Sequence, residues 1–400
     1  MKTSLYNKLL PIIINNEKII IYSPFSRKIV ELSEQQFNDP ELHTYLSNLD
    51  FFWKINLNIL EWQLTIVMTN KCNLWCKYCY ENAWDWDSIS YETAIAWVDY
   101  VFSKTNKPIK ILFHWWEPTL CINLIKKIND YIYKTYSNRK FQLHLITNWV
   151  FNETTIDIIK KTKIAVTISC DWTPNIQNFN RPLKDWWDSA NIVENNIKKI
   201  HQYNIPFQVL TIITNKTVNK MDEIIKYFHN LWVKRIRLEP LIEEWRASYC
   251  FLTQPDWEIF AENFIKSLDL AKNLWITITH SSLFHIIDPI FTFCSCWKWN
   301  NLTILPDDRI ALCHEINAAN EYQVNTRIIW KYDKNLNSME INTDKINKYD
   351  EKNNVENNKE CINCFAKLIC WWGCPTRNMS ENNKLWELNE NLCKMRKKII

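Results

Sequence analysis

The sequence predicts an α/β fold: a parallel sheet with helices outside it, preceded by a small α+β extension and followed by a cysteine-rich domain. Two observations carry this. Between residues 64 and 240, short apolar runs alternate six times with longer stretches of helical period, the pattern of repeated βα units. The cysteines fall mainly in two fields, one just after the first apolar run and one beyond residue 290. The expected division is 1–60, 61–290 and 291–400.

In the extension, apolar stretches 12–14 and 19–22 flank Asn15 and Asn16, a hairpin signal because asparagine tolerates positive φ. Ser33 and Gln36 have the spacing of a capping box. Asp39-Pro40 reads as the start of a helix with Leu42, Tyr45, Leu46 and Leu49 on one face. Such a unit serves either as a structural extension or as a docking element.

Strands are expected at 64–68, 109–114, 141–147, 164–169, 207–214 and 235–240. The helical stretches between them include 91–103, 122–133, 192–203 and 221–231. Parallel α/β folds bind ligands at the C-terminal ends of their strands. The polar motifs stand there: the first cysteine field after strand one, Glu117 after strand two, Asn148 after strand three, and Ser169 and Asp171 at the end of strand four.

The first field is Cys72, Cys76 and Cys79, spaced C-x3-C-x2-C, with the aromatic Tyr80 following. Three thiolates can hold three irons of a cubane and leave the fourth open, whereas electron-transfer clusters close all four with cysteine. A zinc site would need a second C-x2-C hook. The spacing resembles the radical S-adenosylmethionine (SAM) superfamily, whose open iron chelates SAM. The six βα units match that family's partial (βα)6 barrel. The resemblance implies that the 114–118 segment, with Trp115, Trp116 and Glu117, lies against the SAM amino group. It also implies that Asn148 and Asp171 sit in the motifs of the following loops, and that Ser169 and Arg181 form a polar pair near the SAM carboxylate. An arginine fork suits a carboxylate.

The glycine content is abnormal: one, Gly373, against 22 tryptophans in 400 residues, where about 7% glycine is usual. Trp115-Trp116, Trp149, Trp172 and Trp371-Trp372 stand where radical SAM proteins of this type carry glycine. These are tight turns beside a ligand, where the backbone needs close approach or positive φ. The expectation is that most of the tryptophans are glycines encoded by UGA. Trp62 and Trp257 have no turn context.

The second field runs Cys294, Cys296, Cys313, then Cys361-x2-Cys364-x5-Cys370-x3-Cys374, then Cys393. Residues 302–305, a Pro306-Asp307-Asp308 turn and a returning strand bring Cys313 back. This order resembles the SPASM domain, with Asp308 at a glycine position, a change that suits turns. The resemblance implies two auxiliary [4Fe–4S] clusters, one on Cys294, Cys296, Cys313 and Cys374 and one on Cys361, Cys364, Cys370 and Cys393. Whether Cys296 ligates is open. Cys121, Cys170 and Cys250 fit no ligand spacing and read as buried small apolar residues. The polar interval 315–360 reads as a surface insertion.

A net charge of +4 gives no sign of a nucleic-acid surface. No run approaches a membrane span, and no signal segment is evident. Many cysteines without a secretory signal point to metal ligation and a cytoplasmic setting. The resemblance implies a radical SAM/SPASM oxidoreductase-like maturase that cleaves SAM reductively to a 5′-deoxyadenosyl radical and modifies a peptide or protein. An external reductant such as flavodoxin or ferredoxin would serve it. Sulfatase-maturing relatives carry Asp where His314 stands here, which weakens a sulfatase substrate and leaves the general base unassigned. Two other readings stay open: the same chemistry on a small molecule or cofactor precursor, and a non-catalytic iron–sulfur electron carrier or sensor.

Overall fold

The structure is a computed structural model. It describes residues 12–15, 18–23, 28–37, 41, 62–79, 88–243, 246–281, 300–313, 328–333, 338–339, 343–352, 354–362, 364, 366, 370 and 389–399. The chain divides into two compact units. One comprises Met1–Ile59, His280–Cys294 and Asp350–Ile400; the other comprises Leu60–Thr279 and Ser295–Tyr349.

In the first unit, β1 (Ile12–Asn15), β2 (Lys18–Ser23) and β3 (Lys28–Leu32) form an antiparallel sheet in that order. Pairing of Ile13 with Ile19 and of Asn15 with Lys18 puts the reversal where the asparagines predict it. The third strand was not foreseen. Ser33 and Gln36 form the expected capping box: Gln36 N donates to Ser33 Oγ at 3.2 Å, and Ser33 N donates to Gln36 Oε1 at 2.9 Å. The helix expected after Pro40 lies outside the described residues, apart from position 41.

The second unit is built on β4 (Trp62–Val67), β5 (Ile109–His114), β6 (Phe141–Thr147), β7 (Ala165–Ser169), β8 (Phe207–Ile213) and β9 (Arg235–Pro240). All six pair in parallel with their sequence neighbours. Alternation decides the faces. Ile109, Ile111 and Phe113, with Leu143, Leu145, Val166, Ile168, Val209, Ile213, Ile236 and Leu238, are buried. The polar side chains of Lys110, His144, Thr167, Gln208 and Arg237 stand at alternate positions on the opposite face, which they share with Leu112 and Ile146, because successive strand side chains point to opposite sides.

Two strands extend the expected sheet. β10 (Thr277–Thr279) pairs in parallel with β9, and β11 (Asn301–Ile304) pairs in parallel with β4, Leu302 lying opposite Leu64. β12 (Arg309–Ala311) returns antiparallel to β11 around Asp307 and Asp308, as the turn residues predict. It carries the chain to Cys313, which is buried. β13 (Ile328–Asp333) and β14 (Ser338–Met339) continue that edge antiparallel. Among the described residues no helix is long and apolar enough to cross a membrane.

Candidate functional site

The loop after β4 carries Cys72, Cys76 and Cys79, all half-buried. It has almost no regular structure of its own, so neighbours must fix it. Backbone bonds do this first. Trp75 N donates to Pro182 O and Lys77 N to Asn180 O, each at 2.8 Å, and Lys184 N donates to Asn73 O at 3.1 Å. Leu74 bridges Leu183. The cysteine loop is thereby zipped to the segment that follows β7.

Glu117 joins the loops after β4, β5 and β6. Its backbone N donates to Lys71 O at 3.1 Å. Its carboxylate is fully buried and accepts four bonds: from Thr119 N at 3.0 Å, Thr119 Oγ1 at 2.5 Å, Thr147 Oγ1 at 2.7 Å and Asn148 N at 2.7 Å. Burial raises its pKa, and those four donors pull against the rise. Asn148 extends the link. Its amide Nδ2 donates to Asn73 Oδ1 at 2.7 Å and reaches Cys72 Sγ at 3.6 Å. Asn73 Nδ2 returns a bond to Val150 O at 2.6 Å.

Asp171 is the second keystone, and it is buried. It accepts from the Tyr78 hydroxyl, from Asn180 Nδ2 at 3.1 Å and from Ile212 N at 3.2 Å, and it pairs with Arg181 Nε at 3.2 Å. The Arg181 guanidinium lies 5.1 Å from the Tyr78 ring. Burial works against the Arg181 charge, but Asp171 and Tyr78 more than restore it. Removing one partner of such a pair leaves a buried charge alone. Arg246, from the segment after β9, donates to Cys76 O at 3.1 Å and stacks 4.0 Å over the Trp75 ring.

Burial pushes the Cys72 thiol up, and Cys76, Glu117 and Cys79 add to the rise. Burial also raises Cys76, while Arg181 and Arg246 oppose it. The three thiols therefore share one field. Among the described residues, no three His, Cys, Asp or Glu side chains could hold a single metal ion. A cluster instead takes each cysteine on a different iron, and three thiols spread along one clamped loop fit that demand. Metal binding to such thiols releases their protons.

Of the expected ligand contacts, Ser169 ends β7 half-buried, and Asn148, Asp171 and Arg181 lie around the cysteine loop. The carboxylates of Glu117 and Asp171 are taken up by protein donors. Trp115 and Trp116 have φ of 78° and 44° and Trp149 has 64°, the backbone of a cradle that a side chain fills. Trp115 packs with Val67, Leu305 and Ala311, with Trp116 against that cluster. Trp149 is fully buried against Phe151, their rings 4.6 Å apart.

Sequence reasoning missed Asn73, Tyr78, Asn180 and Arg246. The first two lie inside the cysteine motif and could have been named from it. The other two are brought in by tertiary folding and give no local signal.

In the other unit, Cys361 and Cys370 are buried and Cys364 and Cys393 half-buried. Burial raises the Cys361 thiol, and Cys364, Cys370 and Cys393 raise it further. Burial pushes Cys370 up to about 12, with Arg396 opposing. These four thiols also share a field. Cys294, Cys296, Cys374, His314 and Gly373 lie outside the described residues. Cys170 is buried as expected, but Cys121 and Cys250 are only half-buried. Cys121 Sγ lies 3.3 Å from Ser88 Oγ, so it meets a polar edge rather than the core.

Residues 66–228 match the Radical SAM superfamily. An uncharacterized protein of Methanocaldococcus jannaschii is 37% identical over 179 residues, covering 44% of this chain and 62% of that protein. A cysteine-type anaerobic sulfatase-maturating enzyme of Clostridium perfringens is 27% identical over 207 residues, covering 48% and 56%. The chain thus spans little more than half the length of these relatives. A solved structure described as native anSMEcpe with bound AdoMet superposes with TM-score 0.69 at 21% identity, covering 84% of this chain and 95% of that one. Streptococcus suis SuiB bound to precursor peptide SuiA gives 0.56 at 12% identity, covering 94% and 96%. These likenesses show a shared fold.

Proposed function

We propose that this chain, whose residues 66–228 form a radical SAM domain with a [4Fe–4S] cluster and SAM as cofactors, is a maturase acting on a peptide or protein. The observation that carries the reading is the clamped loop of Cys72, Cys76 and Cys79 at the C-terminal ends of β4 to β9. Likeness in fold to a SuiB structure holding a precursor peptide supports a peptide substrate, and so do sulfatase-maturating relatives.

In this reading Cys72, Cys76 and Cys79 hold the cluster. Asn73, Asn148, Glu117, Asp171 and Arg246 keep the loop in one shape, so that its thiols are preorganised. Held there, the cluster would supply the electron for cleaving SAM, and hydrogen abstraction from an unactivated carbon would be the chemistry that follows. Cys361, Cys364, Cys370 and Cys393 hold an auxiliary cluster, and a flavodoxin- or ferredoxin-type protein supplies the electron. Ser169 and Arg181 border the SAM position.

Protein reconstituted anaerobically and reduced with dithionite is expected to release 5′-deoxyadenosine from SAM, and the C72A/C76A/C79A variant is not. Co-expression with a short peptide encoded beside the gene is expected to change that peptide's mass. An unchanged peptide in cells where SAM is cleaved would refute the peptide substrate while leaving the radical chemistry standing.

A further inference from the structure

Among the described residues, ten non-glycine residues have positive φ: Trp115, Trp116, Trp149, Trp172, Trp186, Asn204, Trp232, Phe251, Trp275 and Asp308. Seven of the ten are tryptophan. Asparagine and aspartate tolerate this region, but for a bulky side chain it is an outlier. Glycine enters it without cost to a Cβ. The tryptophans that lie in regular elements among the described residues, Trp62 in β4, Trp97 within Tyr91–Lys104, Trp257 at the start of Trp257–Asn273 and Trp330 in β13, are not in this group.

The helix ends give an internal comparison. After Ala190–Gln202, Asn204 N donates to His201 O and Ile205 N to Ile200 O. After Met221–Asn230, Trp232 N donates to His229 O and Val233 N to Phe228 O. After Trp257–Asn273, Trp275 N donates to Lys272 O and Ile276 N to Ala271 O. All three are Schellman closures, whose left-handed residue is usually glycine and sometimes asparagine. One helix has asparagine there and two have tryptophan. The Trp275 side chain is 86% exposed, so packing does not compensate.

At the strand ends the indoles go inward. Trp116 and Trp149 leave their ring N–H buried without a hydrogen-bond partner among the described residues, a state that native cores avoid.

We infer that the working protein carries glycine at 115, 116, 149, 172, 186, 232 and 275, its gene having UGA at those codons, read as glycine. This extends the expectation drawn from the motifs to positions 186, 232 and 275, which lie in none of them. Without side chains at 115 and 116, a ligand can approach the backbone of that turn closely. The inference stands on backbone conformation and cap geometry, so it can fail while the maturase reading holds, and the reverse.

The test is the coding DNA together with peptide mass spectrometry of protein purified from its source. UGA codons and glycine masses at all seven positions are the expected result. UGG codons, or tryptophan masses at 115 and 116, overturn the inference. Two recombinant proteins give a second readout. One is as written, and the other combines Trp115→Gly, Trp116→Gly, Trp149→Gly, Trp172→Gly, Trp186→Gly, Trp232→Gly and Trp275→Gly. With both loaded anaerobically with iron, the glycine protein is expected to bind SAM at least tenfold more tightly by calorimetry. Equal and measurable binding by the two proteins overturns the ligand role of the 115–116 turn, and the codons and peptide masses alone decide which residue stands there. The peptide masses decide even where the tryptophan protein fails to fold.

Discussion

Trp275→Gly in the chain as written is expected to stabilise the unit that holds the parallel sheet. The left-handed region costs an L-residue about 1–2 kcal/mol. Glycine's looser unfolded chain returns about 0.5–1 kcal/mol of that. The indole is 86% exposed, so little burial is lost, and the net gain is about 1 kcal/mol. For a unit of about 275 residues, an unfolding entropy of about 2.1 cal/mol/K per residue converts this to a rise near 2 °C in Tm. Trp232→Gly removes the same strain. It also removes a parallel stack on His201, with ring centres 5.2 Å apart, worth about 0.5–1.5 kcal/mol. It should leave stability nearly unchanged. Trp275→Ala drops the indole but keeps the Cβ, and so should gain nothing. Urea melts followed by circular dichroism rank the three. Equal gains for Ala and Gly at 275 would refute the reasoning, because exposed indole rather than backbone strain would then be the cause.

Other outcomes follow from the buried polar groups and the thiols. Burial, with Lys110 on β5 and Arg237 on β9, pushes His144 down to about 4. Its neutral ring lies 2.7 Å from Thr167 Oγ1, which Gln208 Nε2 also reaches at 2.7 Å. A depressed histidine pKa means the unfolded chain takes up the proton first. Stability is then complete above about pH 6.5 and falls by about 2–3 kcal/mol as the pH drops toward 4. His144→Gln should flatten that slope in urea melts taken across the window, and an unchanged slope would count against it. Asp171→Asn should cost about 3–5 kcal/mol by stranding Arg181 and should slow iron uptake, both absent if the contacts are incidental. The C72A/C76A/C79A variant should lose about one cubane of iron while keeping the auxiliary iron. Cys361→Ala should lose auxiliary iron and product but keep SAM cleavage, and full iron content in that variant would remove Cys361 from the ligand set.

Much of the sheet was legible because apolar alternation decides it. β5, β6 and β9 have the expected bounds, β7 and β8 differ by one residue at one end, and β4 starts two residues earlier and ends one earlier than expected. β10 was missed because three residues, Thr-Ile-Thr, are too few to show a period. β11 was read as half of a hairpin, which it is. Its second partner, β4, is not readable locally, since a parallel pair has no turn to announce it. The cysteines of the site were legible from spacing alone. The clamp around them was not. Arg246 lies 170 residues from Cys76, and nothing in its neighbourhood signals the contact. Glu117 was expected to lie beside a ligand after the second strand; it does follow β5, but its four internal donors could be counted only in three dimensions.

The pairing of β11 with β4 has a consequence for synthesis. Val67 leads directly into the cysteine loop, and one edge of its strand is completed by Asn301–Ile304. At ribosomal rates of about 5–20 residues per second, that edge waits roughly 10–50 s after β4 emerges. During that interval the nascent chain presents a row of unpaired amides and carbonyls beside three thiols, a template on which another strand can dock. A chaperone or early iron delivery acting on partly made chains therefore has a defined window. Slowing translation between codons 70 and 300 should lengthen it and lower the yield of soluble protein.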